Sequence, residues 1–403
     1  MPKARYILPW TVLLLLTLFP MDRQVARATC RSMVGLGPQS AYGVADIQGR
    51  IIDGCNLDRA LVPASILKIA TISSALQILG PEYRFRTEFF LDSQQNLLIK
   101  GYGDPSLVSE DISSIATELH RLGLRQVRKV FIDDSTFALE HQVPGQAESD
   151  NPYDAPVGPV SVNFNALPFV KEGRKISTGE PQTPTLPLME QLGRSFSSGR
   201  YRVNICVGGC DAGERMARYG GELFAALLQR QGIAVKGYGG RRPVAPVDQL
   251  LYRQLSRRSL SELSRSTLLY SSNFMANLIF LSCGAEKYGY PATWSKAREA
   301  VHQQLRLQMG NDADFIHQVE GAGLARDNRI TAKAMLHLLQ VFQPQMGLLK
   351  QEQGVAVKSG TLTGVYNLAG YLPGGQAFVI LLNQQVNTRA AVLARLKKQF
   401  PAE

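Results

Sequence analysis

The chain has 403 residues, with 44 Lys and Arg against 33 Asp and Glu, and a formal net charge of +11 at pH 7. Its 45% hydrophobic and 19% charged residues are typical of a globular protein with a sizeable core, which excludes a disordered or fibrous chain. The length allows two or three domains. No nucleic-acid-binding module is recognisable, so we interpret the charge as favouring association with anionic surfaces such as cell wall or lipid headgroups.

The first 28 residues have the pattern of a secretory signal peptide. Lys3 and Arg5 form a basic start, an apolar run extends to Phe19, and Ala26 and Ala28 supply the small residues of a cleavage site. An uncleaved anchor is the alternative, but the apolar run is short for a membrane span. We expect an exported, periplasmic protein that is soluble or peripherally associated with membrane or wall.

The five cysteines fit an oxidising compartment. Cys206 and Cys210 flank Val-Gly-Gly, which allows a short bridge, and Cys30 and Cys55 flank the first predicted hairpin and form a second candidate pair. Cys283 lies in an apolar helical segment and is expected to be a free buried thiol. No histidine stands at ligand spacing from these cysteines, so no metal site is predicted.

The N-terminal part of the mature chain predicts a hairpin followed by a helix. Residues 41–52 alternate and turn at Gly49, which is typical of a β-hairpin. Residues 63–80, PASILKIATISSALQILG, predict one helix that begins at Pro63 and ends at the Gly-Pro pair. Nearly every position between is apolar or small, so the helix is expected to be buried.

A lysine interrupts this apolar helix. Lys68 is costly there unless it is paired or loses its proton, and Ser65, three residues earlier, shares its face. A hydroxyl beside a desolvated amine at a helix N-terminus is a candidate activated nucleophile. The alternative is a lysine that extends to the surface beside an incidental serine. This segment alone leaves both interpretations open.

From Tyr83 the pattern changes, and we predict an inserted α+β unit at 84–242. The elements expected within it are strands over 83–103, a helix at 109–122, a strand at 127–133, a period-2 strand at 159–166 and a helix at 220–231. Residues 170–200 lack periodicity and are rich in Gly, Pro, Ser and Thr, which predicts a long loop with little core.

The C-terminal part is predicted to be helical and then to return to strands. The expected elements are helices at 260–282, 294–307 and 331–341, strands within 354–384 and a closing amphipathic helix at 387–400. Thr331 is a candidate N-cap of the third helix.

A polar triplet, Ser271-Ser272-Asn273, interrupts the first of these helical regions. A hydroxyl and an amide placed at a helix start are suited to relaying a proton and to holding a substrate carbonyl. The competing S-x-N pattern at 161–163 lies in a predicted strand of the inserted unit, so we prefer Ser271 for a catalytic role.

The sequence Lys358-Ser359-Gly360-Thr361 lies on a strand predicted to form an edge beside the nucleophile helix. Lys358 and the Ser359 hydroxyl are suited to binding a carboxylate, and Gly360 lets a substrate backbone approach closely. The backbone N–H groups of Ser65 and Thr361 are candidates for an oxyanion hole.

The patterns S-x-x-K, S-x-N and K-[ST]-G, in this order, mark β-lactamases and penicillin-binding proteins. The chain resembles the class C low-molecular-mass penicillin-binding proteins, the D-Ala-D-Ala carboxypeptidase/endopeptidase family. The resemblance covers essentially the whole mature chain and rests also on PAS at 63–65, GYGDP at 101–105, DDS at 133–135, SVNFN at 161–165, EGAGL at 320–324 with Arg326 and Asn328, and KSGTLTGVYNLAG at 358–370. Two departures are Ser359 in place of the commoner threonine and Ser272 in place of the commoner aspartate.

This resemblance implies an α/β fold of the penicillin-binding-protein/serine β-lactamase type. A transpeptidase-like catalytic domain, with an antiparallel sheet flanked by helices and a helical region, is expected from 29–83 and 243–403. A large inserted α+β domain at 84–242 would carry a reduced, loop-like subdomain at about 170–200.

The implied function is that of a serine DD-peptidase. It would hydrolyse the D-Ala-D-Ala bond, D-Ala-meso-diaminopimelate cross-links of peptidoglycan, or both, through an acyl-enzyme, and it would bind β-lactams covalently without any cofactor. The implied roles are attack by Ser65, proton acceptance by Lys68, proton relay by Ser271, substrate orientation by Asn273, and binding of the terminal carboxylate by Lys358 and Ser359. Arg326 is a candidate for binding a stem-peptide carboxylate, with a surface salt bridge as the equal alternative.

Two other functions are compatible with the same motifs. A serine β-lactamase shares the fold and the acylation step, but the long insertion and the Gly-Asp-Pro segment at 103–105 argue against it. A non-catalytic wall-binding protein with a relic of the fold is the other alternative, and the intact motif residues argue against it.

Overall fold

A computed structural model describes residues 33–139 and 143–401. The predicted signal peptide and Cys30, and with it the proposed Cys30–Cys55 pair, lie outside the described residues. Within the described part of the chain, no helix is both long enough and apolar enough to cross a membrane.

The strands fall into two larger and three smaller sheets. In chain order they are β1 (Ala41–Ala45), β2 (Ile51–Cys55), β3 (Arg86–Leu91), β4 (Leu97–Gly101), β5 (Gln126–Val127), β6 (Val130–Asp133), β7 (Ala166–Glu172), β8 (Lys175–Thr178), β9 (Gly199–Asn204), β10 (Ala234–Val235), β11 (Tyr238–Arg241), β12 (Gln249–Leu255), β13 (Ile316–His317), β14 (Arg329–Ile330), β15 (Lys350–Glu352), β16 (Val355–Leu362), β17 (Val365–Tyr371) and β18 (Ala377–Leu381).

The helices cover the faces of these sheets. In chain order they are α1 (Lys68–Ile78), α2 (Ser109–Arg121), α3 (Pro187–Gly193), α4 (Ala212–Arg230), α5 (Leu260–Tyr270), α6 (Asn273–Tyr288), α7 (Trp294–Met309), α8 (Ala332–Phe342) and α9 (Arg389–Gln399).

A six-stranded antiparallel sheet, in the order β15-β16-β17-β18-β1-β2, is built from the two ends of the chain. Its first hairpin confirms the prediction for 41–52. One face packs on a core formed with α1 and α5–α8, and α9 covers the other face through Val392 and Leu396. Helix α1 is buried at nearly every position, as its apolar sequence predicts. The structure therefore has the expected α/β class, with a sheet layered between helices.

The segment between the first and second motifs forms its own core. A five-stranded mixed sheet, β11-β6-β4-β3-β12, packs with α2 and α4. Strand β12 pairs with β3 from Gln249 to Leu255, which is beyond the expected return at 243. We therefore propose that the inserted domain runs from about 84 to Leu255, and that the second catalytic segment begins after it.

The prediction of a loop with little core at 170–200 is wrong. Strands β7, β8 and β9 form a three-stranded antiparallel sheet, and α3 lies between β8 and β9. Leu186, Leu188 and Met189 from this region are buried in the core of the insertion. The strands are short and their apolar residues sparse, so no periodicity stood out above the turn residues.

The predicted strand at 159–166 is also wrong. Asn163, Phe164 and Asn165 have positive φ angles of 48°, 59° and 50°, so the chain bends sharply before β7 begins. The alternating polar residues are buried anchors: Asn163 Oδ1 accepts from the Ser109 N–H at 2.9 Å, and Asn165 Nδ2 donates to the Pro156 carbonyl at 2.8 Å. A period of two thus came from loop anchoring and not from a sheet.

The helical region predicted at 260–282 is broken in two. Helix α5 ends at Ser271, which has a left-handed backbone with φ 55°, and Ser272 caps α6 by accepting the Met275 N–H at 3.2 Å. The predicted N-cap of α8 is confirmed, since Thr331 Oγ1 accepts the Ala334 N–H at 3.1 Å.

Two predictions on the cysteines are confirmed. Cys206 and Cys210 form a disulfide, and Cys283 is a buried free thiol.

Candidate active site

The nucleophile candidate Ser65 lies in a 3-10 turn, Ala64–Leu67, that leads directly into α1. The turn is held by Asn367 of β17 and by Asn383, which lies just beyond the end of β18. Asn367 Nδ2 donates to the Val62 and Pro63 carbonyls at 2.9 and 2.8 Å, and Asn383 Oδ1 accepts the Val62 N–H at 3.0 Å. The position of the serine is therefore fixed from the strands on one side.

Two glycines let other segments approach this turn at backbone distance. A Cβ on Gly360 would lie 2.8 Å from the Pro63 carbonyl oxygen and 3.0 Å from the Ser65 nitrogen. A Cβ on Gly323, whose φ is +84°, would lie 2.0 Å from the Ala64 carbonyl oxygen. Since no side chain fits at either place, both contacts require glycine.

Lys68 is completely buried, and its Nζ has three oxygen partners. These are Ser65 Oγ at 2.9 Å, Asn273 Oδ1 at 2.8 Å and the Ala322 carbonyl at 2.7 Å. A neutral amine has two N–H donors and one lone pair, so it can donate to Asn273 and Ala322 and accept the Ser65 hydroxyl proton. The geometry thus suits a base as well as an ammonium ion.

Burial holds the pKa of Lys68 well below its ordinary value, because a charged amine loses its hydration there. The positive charge of Lys358 lowers the pKa further, and the negative charge of Glu320 opposes both effects. A lysine with a lowered pKa beside a hydroxyl is the arrangement that activates a serine.

Lys358 lies on β16 with only 3% of its surface exposed. Its Nζ donates to Ser271 Oγ and to the Ser359 carbonyl, both at 2.8 Å. Burial first, and then the positive charge of Arg389, lower the pKa of Lys358 to about 8. Lys358 of the third motif thus contacts Ser271 of the second motif. Lys68 of the first motif contacts Asn273 of the second.

Strand β16 pairs with β15 only as far as Val357, and with β17 from Ala356 to Leu362. Ser359 and Thr361 are exposed on the same face, with the buried Gly360 between them. Within the described residues, the side of β16 from Lys358 onward that faces the nucleophile turn therefore has no neighbouring strand. An extended peptide bound there could add to the sheet.

Arg326 is exposed, and its Nη2 donates to the Thr363 carbonyl at 2.6 Å in the turn between β16 and β17. The described residues include no carboxylate paired with it. The alternative of a surface salt bridge is thus not seen, and the guanidinium lies at the end of the free strand edge.

Sequence reasoning assigned no role to four residues that complete the site. Asn367 and Asn383 anchor the nucleophile turn, and Arg389 Nη1 donates to Thr361 Oγ1 at 3.0 Å. Glu320, fully buried, accepts backbone N–H groups of the loop that contacts Lys68. Two of them, Glu320 and Asn367, stand in stretches that carried the resemblance, but nothing in their spacing indicates which atoms they touch.

Comparison with known proteins agrees with this arrangement. The model of the D-Ala-D-Ala carboxypeptidase 3 (S13) family matches residues 37–196 and 211–353. The chain belongs to this peptidase family. The match covers the Ser65–Lys68 and Ser271–Asn273 motifs and most of the segment between them, and it ends before Lys358.

Individual relatives are distant but extensive. The chain is 28% identical over 403 residues to a D-alanyl-D-alanine carboxypeptidase of an Actinomadura species, covering 80% of this chain and 73% of the relative. The crystal structure of penicillin binding protein 4 (dacB) from Haemophilus influenzae matches with a TM-score of 0.71 at 22% identity, over 90% of this chain and 96% of that one. A predatory peptidoglycan endopeptidase from Bdellovibrio bacteriovorus matches with a TM-score of 0.51 at 16% identity, over 90% and 91%. This chain has the same fold as these two structures.

Proposed function

We propose that this S13 peptidase hydrolyses the D-Ala-D-Ala bond of peptidoglycan stem peptides through an acyl-enzyme on Ser65. The observation that carries the proposal is the position of Lys68 Nζ, 2.9 Å from Ser65 Oγ and 2.8 Å from Asn273 Oδ1. Lys358, hydrogen-bonded to Ser271, adds a second amine to the same site. The family and the named relatives supply the substrate class.

Acylation begins when Ser65 Oγ attacks the carbonyl carbon of the penultimate D-alanine. The hydroxyl proton passes to neutral Lys68, because burial holds its pKa well below the ordinary value and so favours the free amine. The N–H groups of Ser65 and Thr361 stabilise the oxyanion, since Ser65 lies in the first turn of a helix and its N–H has no helical partner. Ser271 relays the proton held by Lys68 to the leaving nitrogen, so that the C–N bond breaks and the terminal D-alanine departs. Water then hydrolyses the ester, which releases the shortened peptide as a carboxylate and restores the Ser65 hydroxyl.

The terminal carboxylate of the substrate is bound at β16. Lys358 supplies the positive charge and the exposed Ser359 supplies a hydroxyl, while Gly360 keeps the strand close to the nucleophile turn. Asn273 orients the substrate amide from the opposite side. The substrate would lie antiparallel to the free edge of β16, with its scissile carbonyl over Ser65.

Arg326 extends this site toward the rest of the stem peptide. Its guanidinium keeps unused donors beyond the one bonded to Thr363, and it is exposed beside the strand edge. We propose that it binds a carboxylate of the stem peptide.

The same nucleophile would be acylated by β-lactams, which present a strained amide and a carboxylate in similar relation. The Haemophilus influenzae protein named above is also known in complex with a β-lactam. Cleavage of D-Ala-meso-diaminopimelate cross-links is proposed as a second activity, because a protein of this fold is named a peptidoglycan endopeptidase. Peptidoglycan as substrate fits export to the periplasm and contact with membrane or wall, which the N-terminal sequence and the charge of +11 predict.

The test compares Ser65→Ala with Ser73→Ala, a buried serine on the same helix that contacts none of the catalytic side chains named above. A fluorescent penicillin should label the wild type and the Ser73 variant, and Ser65→Ala should not be labelled. The wild type and Ser73→Ala should also release D-alanine from defined muropeptides, and Ser65→Ala should not. A wild type that is neither labelled nor active would refute the proposal, and sustained nitrocefin turnover would favour a β-lactamase.

A further inference from the structure

Glu320 is a buried carboxylate enclosed by hydrogen-bond donors. Its Oε2 accepts the Ala322 N–H at 2.7 Å. Its Oε1 accepts the N–H groups of Gly323 and Leu324 at 2.7 Å each and Asn328 Nδ2 at 2.9 Å, with the Ala325 N–H at 3.3 Å. The side chain therefore acts as the centre around which loop 321–325 is wound.

This loop touches both reacting groups of the proposed mechanism. The Ala322 carbonyl accepts from Lys68 Nζ at 2.7 Å, and Gly323 lies against the Ala64 carbonyl in the nucleophile turn. A single residue, Ala322, connects the two groups, because its N–H donates to Glu320 and its carbonyl accepts from Lys68. A shift of the carboxylate is thus transmitted directly to the acceptor that orients the amine.

Glu320 also contributes charge. The groups around Lys68 Nζ are the neutral Ser65 and Asn273, the charged Lys358 on β16 and the carboxylate of Glu320. Burial and Lys358 both disfavour a proton on Lys68, and Glu320 is the group that favours it. Without this charge the amine would be a weaker acceptor for the serine proton.

We propose that Glu320 is a positioning residue for proton transfer: it fixes the loop whose Ala322 carbonyl aims Lys68 at Ser65, and its charge keeps Lys68 an effective proton acceptor. This inference rests on the proposed function, because it assigns Lys68 as the base. Glu320 itself touches neither the substrate nor the serine.

The experiment measures the rate of acylation by a fluorescent penicillin from pH 4 to pH 9 in the wild type, Glu320→Gln and Glu320→Asp. Glutamine keeps the size but places an N–H₂ group against an N–H of the loop and removes the charge. Aspartate keeps the charge with a shorter reach. Thr71→Val is the matched control, since Thr71 Oγ1 donates to the Gly321 carbonyl at 2.7 Å and so anchors the same loop without charge.

In Glu320→Gln we expect acylation to slow by about 100-fold, as for a displaced catalytic group. The acid limb of the pH–rate profile for acylation should move to lower pH by about one unit, because the negative charge that favours a proton on Lys68 is removed. Glu320→Asp and Thr71→Val should lose rate with the limb unmoved. A limb that stays in place in Glu320→Gln, or a rate within about twofold of the wild type, would overturn the inference.

Two further outcomes are distinguishable. If Glu320→Gln is not recovered folded by circular dichroism, Glu320→Asp carries the test: acylation slowed at least about tenfold supports the inference, and an unchanged rate refutes it. If the wild type itself is not acylated, the proposed function fails, whereas an acylated wild type with an unmoved limb in Glu320→Gln rejects only the role of Glu320.

Discussion

Replacing Lys358 by methionine should make the protein more stable at neutral pH relative to its stability at high pH. Lys358 is 3% exposed, and its pKa is lowered from 10.5 to about 8, with burial as the main cause. A lysine whose folded-state pKa lies below its unfolded-state value binds fewer protons when folded. Stability therefore rises with pH between the two values and carries a penalty below both.

The penalty can be worked out from the shift. With a folded-state pKa of about 8, the penalty is about 3 kcal/mol at pH 7 and falls to about 1 kcal/mol at pH 10, where the unfolded lysine also loses its proton. The free energy of unfolding of Lys358→Met, minus that of the wild type, should therefore decrease by about 2 kcal/mol from pH 7 to pH 10. Removal of the Lys358 charge also raises the folded-state pKa of Lys68, which adds to the gain in stability at neutral pH.

Urea unfolding of both proteins at several pH values measures this difference. The buried tyrosines, which titrate at high pH, are common to both proteins and cancel. Lys350→Met is the control, because the Lys350 side chain is 53% exposed and keeps its hydration on folding. A stability difference between Lys358→Met and the wild type that does not change between pH 7 and pH 10 would refute the assignment of Lys358 as a buried, destabilising amine.

Three further predictions concern the geometry of the site. Asn273→Ala removes one hydrogen-bond acceptor of Lys68 and should slow acylation at least about 100-fold with near-wild-type urea stability; an unchanged rate would contradict the role proposed for Asn273. Arg389→Gln should raise the pKa of Lys358, so the alkaline limb of the pH profile of kcat/KM for a D-Ala-D-Ala peptide should move to higher pH. A shift of this limb to lower pH would contradict the prediction. Gly323→Ala should cost about 3 kcal/mol more in urea unfolding than Gly354→Ala, which has a similar φ of +81° but open space; equal costs would show that the close contact does not matter.

The sequence allowed the candidate catalytic groups to be named, and the structure brings Lys68 to Ser65 and Asn273, and Lys358 to Ser271. The lysine within an apolar helix was recognisable because burial of an amine is costly, and the three motifs stand in the order expected for the family. The long helices and the hairpins followed from periodicity, as α1, α2 and β1–β2 illustrate. The family match over residues 37–196 and 211–353, together with the crystal structure that matches over 90% of the chain, then places it in a known fold.

Other features were not accessible from the sequence because they depend on backbone dihedrals and on contacts between distant segments. Nothing in LLYSSN indicates that Ser271 takes a left-handed conformation, which separates helix α5 from helix α6. The polar alternation at 161–165 is identical for a strand face and for a loop with buried anchors. Glu320 and Arg389 act across 252 and 31 residues of chain from Lys68 and Lys358, so no local pattern reveals them.

The central claim, that Ser65 is the residue acylated, is tested most directly by mapping the adduct. The wild type is incubated with penicillin G, and its peptides are analysed by mass spectrometry. A single covalent penicilloyl group on the peptide that contains Ser65 is the predicted result, with no adduct in Ser65→Ala. An adduct on Ser161 or Ser271, or one that persists in Ser65→Ala, would contradict the account.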